Sequence, residues 1–256
     1  MQNIPSGYKY SFGRQVTFYL ILMLSVIMIP IEGIAEPTSS IKAASEAEKA
    51  SIIENLKKRA NIWWNGLWKN AKERDEAYRA AKSGGGQIKM PMFKGINDKS
   101  ITQKLIAGEK VLYFGWKGGY SPYKVTISGT GKNEFSFSKE TKDETNSIEI
   151  VLPEALKVGY YTVKVVASAN ENKTTQNDVQ GKFEVVESFA DDNIVSEIEA
   201  VDNEPLLSAI VLLTYGKSQW KFEAYQRAMK ANSKQKWREE TKLALETGRS
   251  TYKLER

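Results

Sequence analysis

The chain of 256 residues contains neither cysteine nor histidine. Without cysteine it forms no disulfide, offers no thiol nucleophile and carries no lipid on a cysteine after a secretion signal. Without histidine, a Ser-His-Asp triad is excluded, and so are nearly all zinc and copper sites, which depend on imidazole or thiolate ligands. These absences remove most familiar catalytic chemistries. We therefore expect a protein that is not an enzyme and that uses no cofactor and no metal.

One apolar stretch lies near the start of the chain, where Val16–Ile31 carries no charged residue. Lys9 and Arg14 precede it, and the small residues Gly33 and Ala35 follow it. A positive start, an apolar middle and a small-residue cleavage site are the layout of a secretory signal peptide. The sequence predicts that residues 1–35 are removed by cleavage after Ala35.

An uncleaved membrane anchor is the alternative interpretation of residues 1–35. A spanning helix needs about 20 apolar residues, with roughly 17 as the lower limit. The uncharged run Gln15–Ile31 reaches only that limit and contains Pro30. In both interpretations the rest of the chain is translocated, because the basic residues lie on its N-terminal side. Since a secreted eukaryotic domain would often carry disulfides, we expect a bacterial periplasmic protein, or one anchored in the inner membrane with its bulk in the periplasm.

The segment 36–83 combines a short polar linker with an amphipathic helix that extends from Ser45 to Lys82. Apolar side chains recur near multiples of 3.6 residues and define one helical face. They are Ile52, Leu56, Trp63, Leu67 and Tyr78. Glycines follow at positions 84–86. They end the helix, because glycine supplies the left-handed conformations that helix C-termini favour.

The segment 84–187 has a different pattern, in which short runs alternate apolar and polar residues between turn residues. Such runs occupy residues 122–128, 133–139, 147–152, 159–167 and 181–186, with less regular runs near 87–93 and 111–116. Short strands at this spacing, each with one apolar face, are typical of an antiparallel β-sandwich.

Two short motifs in this segment resemble known families. Residues 156–165 read Leu-Lys-Val-Gly-Tyr-Tyr-Thr-Val-Lys-Val and resemble the tyrosine-corner segment of immunoglobulin-like and fibronectin-III-like domains. The resemblance implies that Tyr161 opens a late strand and bonds to nearby backbone. Residues 116–123 read Trp-Lys-Gly-Gly-Tyr-Ser-Pro-Tyr and resemble the Gly-Gly-x-x-Pro-Tyr turn of bacterial immunoglobulin-like surface repeats. The resemblance implies a β-sandwich of this kind, from a bacterial envelope protein, over about residues 86–187.

The segment 188–256 begins as an acidic linker and continues as helices. Between Ser188 and Glu204 there are six acidic residues and no basic one, whereas Gly216–Arg256 contains eleven basic and five acidic residues. Such asymmetry indicates either solvated helix faces that complement one another or an anionic partner. The run after Pro205 is apolar nearly all round and should be buried. We expect these helices to pack against the N-terminal helix, which gives an α+β protein with helical segments on both sides of the sandwich.

Aromatic residues are the candidate binding residues. Trp63, Trp64 and Trp68 form the densest aromatic cluster, which either presents a surface to a partner or a sugar, or packs on the C-terminal helices. Trp116 and Tyr120 lie on either side of a glycine pair. Loops on rigid sandwiches often carry binding function, so these two residues are candidate ligand contacts.

The sequence favours a non-catalytic interaction or scaffolding protein of the cell envelope, with another envelope protein as its partner. A binder of carbohydrate or peptidoglycan, using loop aromatics and basic charge, is the alternative, and an anionic envelope polymer would suit the basic C-terminal segment. Export argues against nucleic acid as a partner, and contact with the membrane is expected only through an uncleaved N-terminal segment. A hydrolase with a carboxylate pair is a third interpretation, but the acidic residues lie mostly at positions where solvation is the default.

Overall fold

The computed structural model describes residues 38–249, apart from residues 69, 83–85, 95–98, 132–133, 142–144, 168–176, 202, 216–217 and 233–236. By its internal contacts the chain divides into a unit of Met1–Ala44 and a unit of Ser45–Arg256, and the second is described below. The predicted signal segment and the cleavage site at Ala35 lie outside the described residues. Within those residues, no helix combines the length and the apolar content that crossing a bilayer requires.

The described part of the chain places its strands in one block between two groups of helices, which confirms the predicted α+β class. The helices are α1 (Thr38–Leu67), α2 (Ala71–Lys82), α3 (Asp192–Ala200), α4 (Pro205–Tyr215), α5 (Lys221–Lys230) and α6 (Arg238–Thr247). The strands are β1 (Gln103–Ile106), β2 (Val111–Gly115), β3 (Tyr123–Gly129), β4 (Ser136–Glu140), β5 (Ser147–Val151), β6 (Gly159–Ala167) and β7 (Asp178–Val186).

The long helix predicted over 45–82 is divided into α1 and α2 by Asn70. The side-chain oxygen of Asn70 accepts the backbone N–H of Glu73 at 2.9 Å, and so caps the first turn of α2. Beyond this break the predicted apolar face does not continue, since Tyr78 is 48% exposed. The apolar repeat alone could not locate the break, because a cap depends on one polar side chain and not on periodicity.

The strands form two sheets, one with the order β1-β7-β6-β3-β4 and one with the pair β2-β5. The pairs are antiparallel except at one edge, where β1 runs parallel to β7 with Gln103 opposite Phe183. The prediction of a purely antiparallel arrangement is therefore wrong at this edge. The strand β1 was missed because its four residues, Gln-Lys-Leu-Ile, do not alternate. The run near residues 87–93 is not a strand but ends in a 3-10 turn, Pro91–Phe93.

Inward-facing side chains of both sheets pack into one apolar core. The five-stranded sheet contributes alternate residues, because successive side chains of a strand point to opposite faces. These include Tyr123, Val125, Ile127, Tyr161, Val163, Val165, Phe183 and Val185, and the two-stranded sheet adds Leu112, Phe114, Ile148 and Ile150. The same core contains Phe222, Tyr225 and Leu245 from α5 and α6. The core of the sheets thus extends beyond the predicted boundary at Glu187.

Helix α5 covers the edge strands on one side of the sheets. The side chain of Gln226 accepts the N–H of Tyr113 and donates to its carbonyl oxygen, both at 2.8 Å. The carboxylate of Glu223 accepts the N–H of Ile106 at 3.1 Å. Free backbone groups on a strand edge invite pairing with another chain. Here helix side chains bind those groups, so the C-terminal helices are part of the β fold.

A second core joins the helices. Its buried apolar residues come from α1, α3, α4, α5 and α6, and α4 is buried over seven consecutive residues, Leu206–Leu212. A polar contact supports the packing of α1, since Arg59 donates a hydrogen bond to the hydroxyl of Tyr215. Burial raises the pKa of Tyr215, and the nearby carboxylate of Glu197 raises it to a smaller extent. This arrangement brings the N-terminal helix against the C-terminal helices.

Replacing Gln226 by leucine is expected to lower the free energy of unfolding by about 3 kcal/mol, because two buried backbone groups of Tyr113 lose their partners. Urea unfolding of the purified protein would measure the change. The matched control is Gln180→Leu, since Gln180 is exposed on β7. The control should change stability by less than about 0.5 kcal/mol. Equal effects from both variants would mean that Gln226 does not close the edge of β2.

Candidate functional site

An open groove runs between α1 and the start of α4, with a volume of about 510 Å³. One wall is a stripe of α1 whose residues recur every three or four positions and so share a face. This stripe consists of Glu54, Lys57, Lys58, Asn61 and Trp64. The opposite wall is formed by Glu204, Leu206 and Leu207, and Trp237 completes the lining. We call these nine residues the α1–α4 groove.

Two tryptophans are stacked at the Trp237 end of the groove. The rings of Trp64 and Trp237 lie with their centroids 5.1 Å apart and their planes within 5° of parallel. The indole N–H of Trp64 donates to the hydroxyl of Thr241 at 2.9 Å, and that hydroxyl donates to the carbonyl oxygen of Trp237 at 2.8 Å. These two hydrogen bonds link the indole of Trp64 to the backbone of Trp237 through Thr241. The end wall of the groove is therefore fixed by hydrogen bonds as well as by ring packing.

The groove combines an apolar floor with a charged rim. Leu206 and Leu207 are buried, and Pro205 at the first position of α4 suits the start of a helix. On the rim, Lys58 pairs with Glu54 at 2.9 Å, and this bond lowers the pKa of Glu54. Lys57 is exposed and forms no ion pair within the described part of the chain. The groove therefore offers an apolar surface beside Lys57 and Glu204, neither of which forms an ion pair within the described part of the chain.

The three tryptophans of the predicted cluster differ in their surroundings and in their exposure to solvent. Trp63 is buried in the helical core, although it points about 100° away from Trp64 around the helix. Trp64 is 7% exposed and contributes only its edge to the groove. Trp68 is half-buried, with the guanidinium of Arg249 5.1 Å from its ring centroid. Of the three candidates, the structure brings Trp64 alone into the groove lining.

The two aromatic candidates beside the glycine pair differ in accessibility. Trp116 is fully buried, with its ring edge-on to that of Tyr123 at 5.0 Å, so its assignment as a surface ligand contact is wrong. It follows β2 directly and continues the inward face of that strand. Tyr120 is 38% exposed. The turn before it needs glycine at position 119, where φ is +79° and a Cβ would lie 2.6 Å from the side chain of Ile88.

Tyr161 stabilises the fold and does not take part in the groove. Its hydroxyl donates to the carbonyl oxygen of Lys157 at 2.8 Å, and its ring stacks on that of Phe183. The neighbouring Tyr160 points to the opposite face of the strand and is 55% exposed. The hydrogen bond has the form expected of a tyrosine corner, in which the hydroxyl bonds to backbone a few residues upstream.

One buried acid was missed by sequence reasoning. Glu246 on α6 is 7% exposed and accepts a hydrogen bond from the hydroxyl of Tyr225 at 2.6 Å. Burial raises the pKa of Glu246 to about 7, and burial also raises the pKa of Tyr225 well above its ordinary value. The only local signal was its position three residues after Leu243, on the apolar side of the helix. It lies away from the groove, against Gly115 of β2.

The buried acid and the groove differ in their access to solvent. Among the described residues, no group of three or more acidic side chains is placed to hold a metal ion. The buried Glu246 is enclosed by Tyr225 and the backbone of Gly115, so it does not face a cleft. The α1–α4 groove, in contrast, is open and combines apolar and charged side chains.

Comparisons with known proteins give a distant structural likeness. No family model matches the chain, and no curated protein matches it. Among solved structures, CopC from Methylosinus trichosporium OB3b is similar over 35% of this chain and 90% of that chain, with 22% sequence identity and a TM-score of 0.25. A likeness at this TM-score supports no conclusion about function.

Proposed function

We propose that this chain is an exported, non-catalytic interaction protein of the bacterial cell envelope and that its α1–α4 groove binds a segment of a partner protein. The observation that carries the proposal is the groove itself, with an apolar floor at Leu206 and Leu207 and, on its rim, the exposed Lys57, which forms no ion pair with the described residues. Apolar anchors with a polar rim are the usual anatomy of a protein interface.

The groove fits an amphipathic segment with one acidic residue. Its floor would receive an aliphatic or aromatic side chain, and the carboxylate of the partner would pair with Lys57. A segment that lies along α1 would meet the same stripe of residues at each helical turn. Helices and extended peptides both bind in grooves of this kind.

Export is supported by the sequence. Lys9, Arg14, the apolar run Val16–Ile31 and Ala35 form a secretory signal. A chain without cysteine depends on packing and polar contacts, without disulfides, for its stability. The two apolar cores described above, together with the side chains that cover the strand edges, are consistent with that requirement.

The finer fold assignment is an immunoglobulin-like sandwich. Supporting it, β2 and β5 form one sheet, while β7, β6, β3 and β4 are neighbours in the other, as in sandwiches with a Greek-key connection. The hydrogen bond from Tyr161 to Lys157 at the start of β6 is a second supporting feature.

Photo-crosslinking in living cells tests the groove. A photoreactive amino acid is placed at Asn61 in the groove and, as a matched control, at Lys182, which is exposed on β7. We expect position 61 to form an adduct with one defined envelope protein and position 182 not to. Lys57→Glu should lower the yield of that adduct about tenfold, since reversing the charge replaces an attraction by a repulsion.

Two results would overturn the proposal. The first is the same set of adducts from both positions. The second is an adduct whose yield is unchanged by Lys57→Glu.

The alternative, a peptidoglycan or carbohydrate binder, is favoured by the exposure of Tyr120. It would be supported if the protein sedimented with purified peptidoglycan and Tyr120→Ala released it.

A further inference from the structure

The contact between α6 and β2 is tight and contains a buried acid. A Cβ placed on Gly115 would lie 2.6 Å from an oxygen of Glu246 and 2.7 Å from the hydroxyl of Tyr225. The Tyr225 hydroxyl donates to Glu246 at 2.6 Å. The carboxyl group therefore fills the space between α5, α6 and the backbone of β2, and it has no room for a hydration shell.

Charged groups on the surrounding elements offset this burial only in part. On α6, the ammonium of Lys242 lies 4.0 Å from Glu246, and Glu239 acts on it with like charge. From the β2 side, Lys117 uses its ammonium to donate to the carbonyl oxygen of Thr247 at 3.2 Å. On α5, the facing titratable group is the hydroxyl of Tyr225. An ionised Glu246 thus has one cation at the limit of ion-pair distance and little contact with solvent.

The same helix forms the end wall of the groove. Trp237 directly precedes α6, and Thr241 on its first turn holds the indole of Trp64. The backbone N–H of Thr241 bonds to the carbonyl oxygen of Trp237 at 2.9 Å. A movement of α6 away from β2 would therefore displace the stacked tryptophan pair as well.

We propose that α6 is a proton-dependent latch, which is docked on β2 while Glu246 is neutral and is released when Glu246 ionises, so that the α1–α4 groove loses its end wall as the pH rises. The effect on the groove rests on the proposed function above, whereas the latch itself does not. α6 is the last helix of the described chain and opens without breaking any strand pairing. Elements of this kind are drawn from the less stable part of a structure.

The size of the effect follows from proton linkage. Burial raises the pKa of Glu246 from an ordinary 4.5 to about 7 when α6 is docked. The opened helix exposes the carboxyl group and restores the ordinary value. Opening then releases a proton between these two values, so the opening equilibrium constant rises with pH. Between pH 5.5 and pH 8 the expected rise is about 30-fold.

Amide hydrogen exchange of the full chain, corrected for the intrinsic rate at each pH, tests the latch. We expect the protection of α6 amides in the wild type to fall about 30-fold between pH 5.5 and pH 8 and to be lower than the protection of α4 amides at every pH, because α6 opens without the rest of the fold. Glu246→Gln should remove the change, because the amide does not ionise. Glu240→Gln is the matched control on the same helix and should retain it.

A second variant covers the case in which Glu246→Gln fails to fold. Tyr225→Phe removes the hydrogen bond that lowers the pKa of Glu246 in the docked state, so the loss of α6 protection should continue to higher pH than in the wild type. The latch is wrong if wild-type α6 protection is independent of pH, if α6 and α4 amides have equal protection throughout the pH range, or if Glu246→Gln retains the 30-fold change.

A separate fluorescence measurement tests whether the opening of α6 alters the α1–α4 groove. Because the chain has no native cysteine, Asn61→Cys can carry a single environment-sensitive fluorophore. Its emission should change between pH 5.5 and pH 8 in the wild-type background and not with Glu246→Gln. A constant emission together with pH-dependent α6 protection would refute the coupling and leave the latch standing. Failure of the crosslinking experiment, in turn, would refute the proposed partner and not the latch.

Discussion

Replacing Phe222 by alanine is expected to lower the free energy of unfolding by about 4 kcal/mol. The ring of Phe222 is fully buried, and its centroid lies 5.2 Å from those of Phe93 and Phe114 and 5.1 Å from that of Phe183. These three residues come from the turn before β1, from β2 and from β7. Truncation would leave a cavity between both sheets and α5, which cannot collapse without moving a sheet.

Urea unfolding with two signals measures this prediction. Circular dichroism reports the helices, and tryptophan fluorescence reports both cores. Because α5 belongs to the core of the sheets, the two transitions should shift together to lower urea. The control is Tyr160→Ala, which removes an exposed ring from β6 and should change stability by less than about 0.5 kcal/mol. A helical transition that shifts alone would show that the C-terminal helices form a separate domain.

The local sequence pattern was sufficient to predict the strands in which apolar and polar residues alternate. The runs around Val125 and Val163 give β3 and β6 within one residue of their ends, because one face of each strand is buried and the other is solvated. It failed for β1, where Gln103 is fully buried, donates to the carbonyl oxygen of Ser218 before α5 and accepts the N–H of Phe222 on α5. When the residues that bury a polar side chain are distant in sequence, the local pattern predicts a surface residue.

The candidate site was predictable only in part, for the same reason. The aromatic cluster on α1 indicated a contact surface, and Trp64 does line the groove. Its partners Glu204 and Trp237 are more than a hundred residues away in sequence, so no local motif joins them. Trp116 shows the opposite error, since an aromatic residue beside a glycine turn was taken as a ligand contact although it continues the inward face of β2.

Glu246 illustrates how much the interior changes a residue that looks ordinary in the sequence. In a helix with three glutamates, it is indistinguishable by sequence from the exposed Glu239 and from Glu240, which pairs with Arg74. Only the folded chain places it against Gly115 and Tyr225. The free energy required to bury its charge is therefore a property of the tertiary structure.

Because the charge of Glu246 is costly to bury, the free energy of unfolding of the whole protein should fall as the pH rises. In the unfolded chain Glu246 has the ordinary pKa of 4.5, and burial raises it to about 7 in the folded protein. Between these values the folded state binds more protons than the unfolded state, so stability is greatest below pH 4.5 and is lost as the pH rises through 7. This group alone should lower the free energy of unfolding by about 3 kcal/mol between pH 4.5 and pH 8.

The contribution of Glu246 is isolated by comparing the wild type with Glu246→Gln across the same pH range. Other carboxylates titrate equally in both proteins, so the difference between their unfolding free energies removes them. We expect the two proteins to be within about 1 kcal/mol of each other near pH 4.5, and the variant to gain about 3 kcal/mol relative to the wild type by pH 8. Parallel curves would mean that Glu246 is hydrated in the folded protein. Urea unfolding gives the size of this term for the whole fold, and hydrogen exchange then decides whether α6 opens alone.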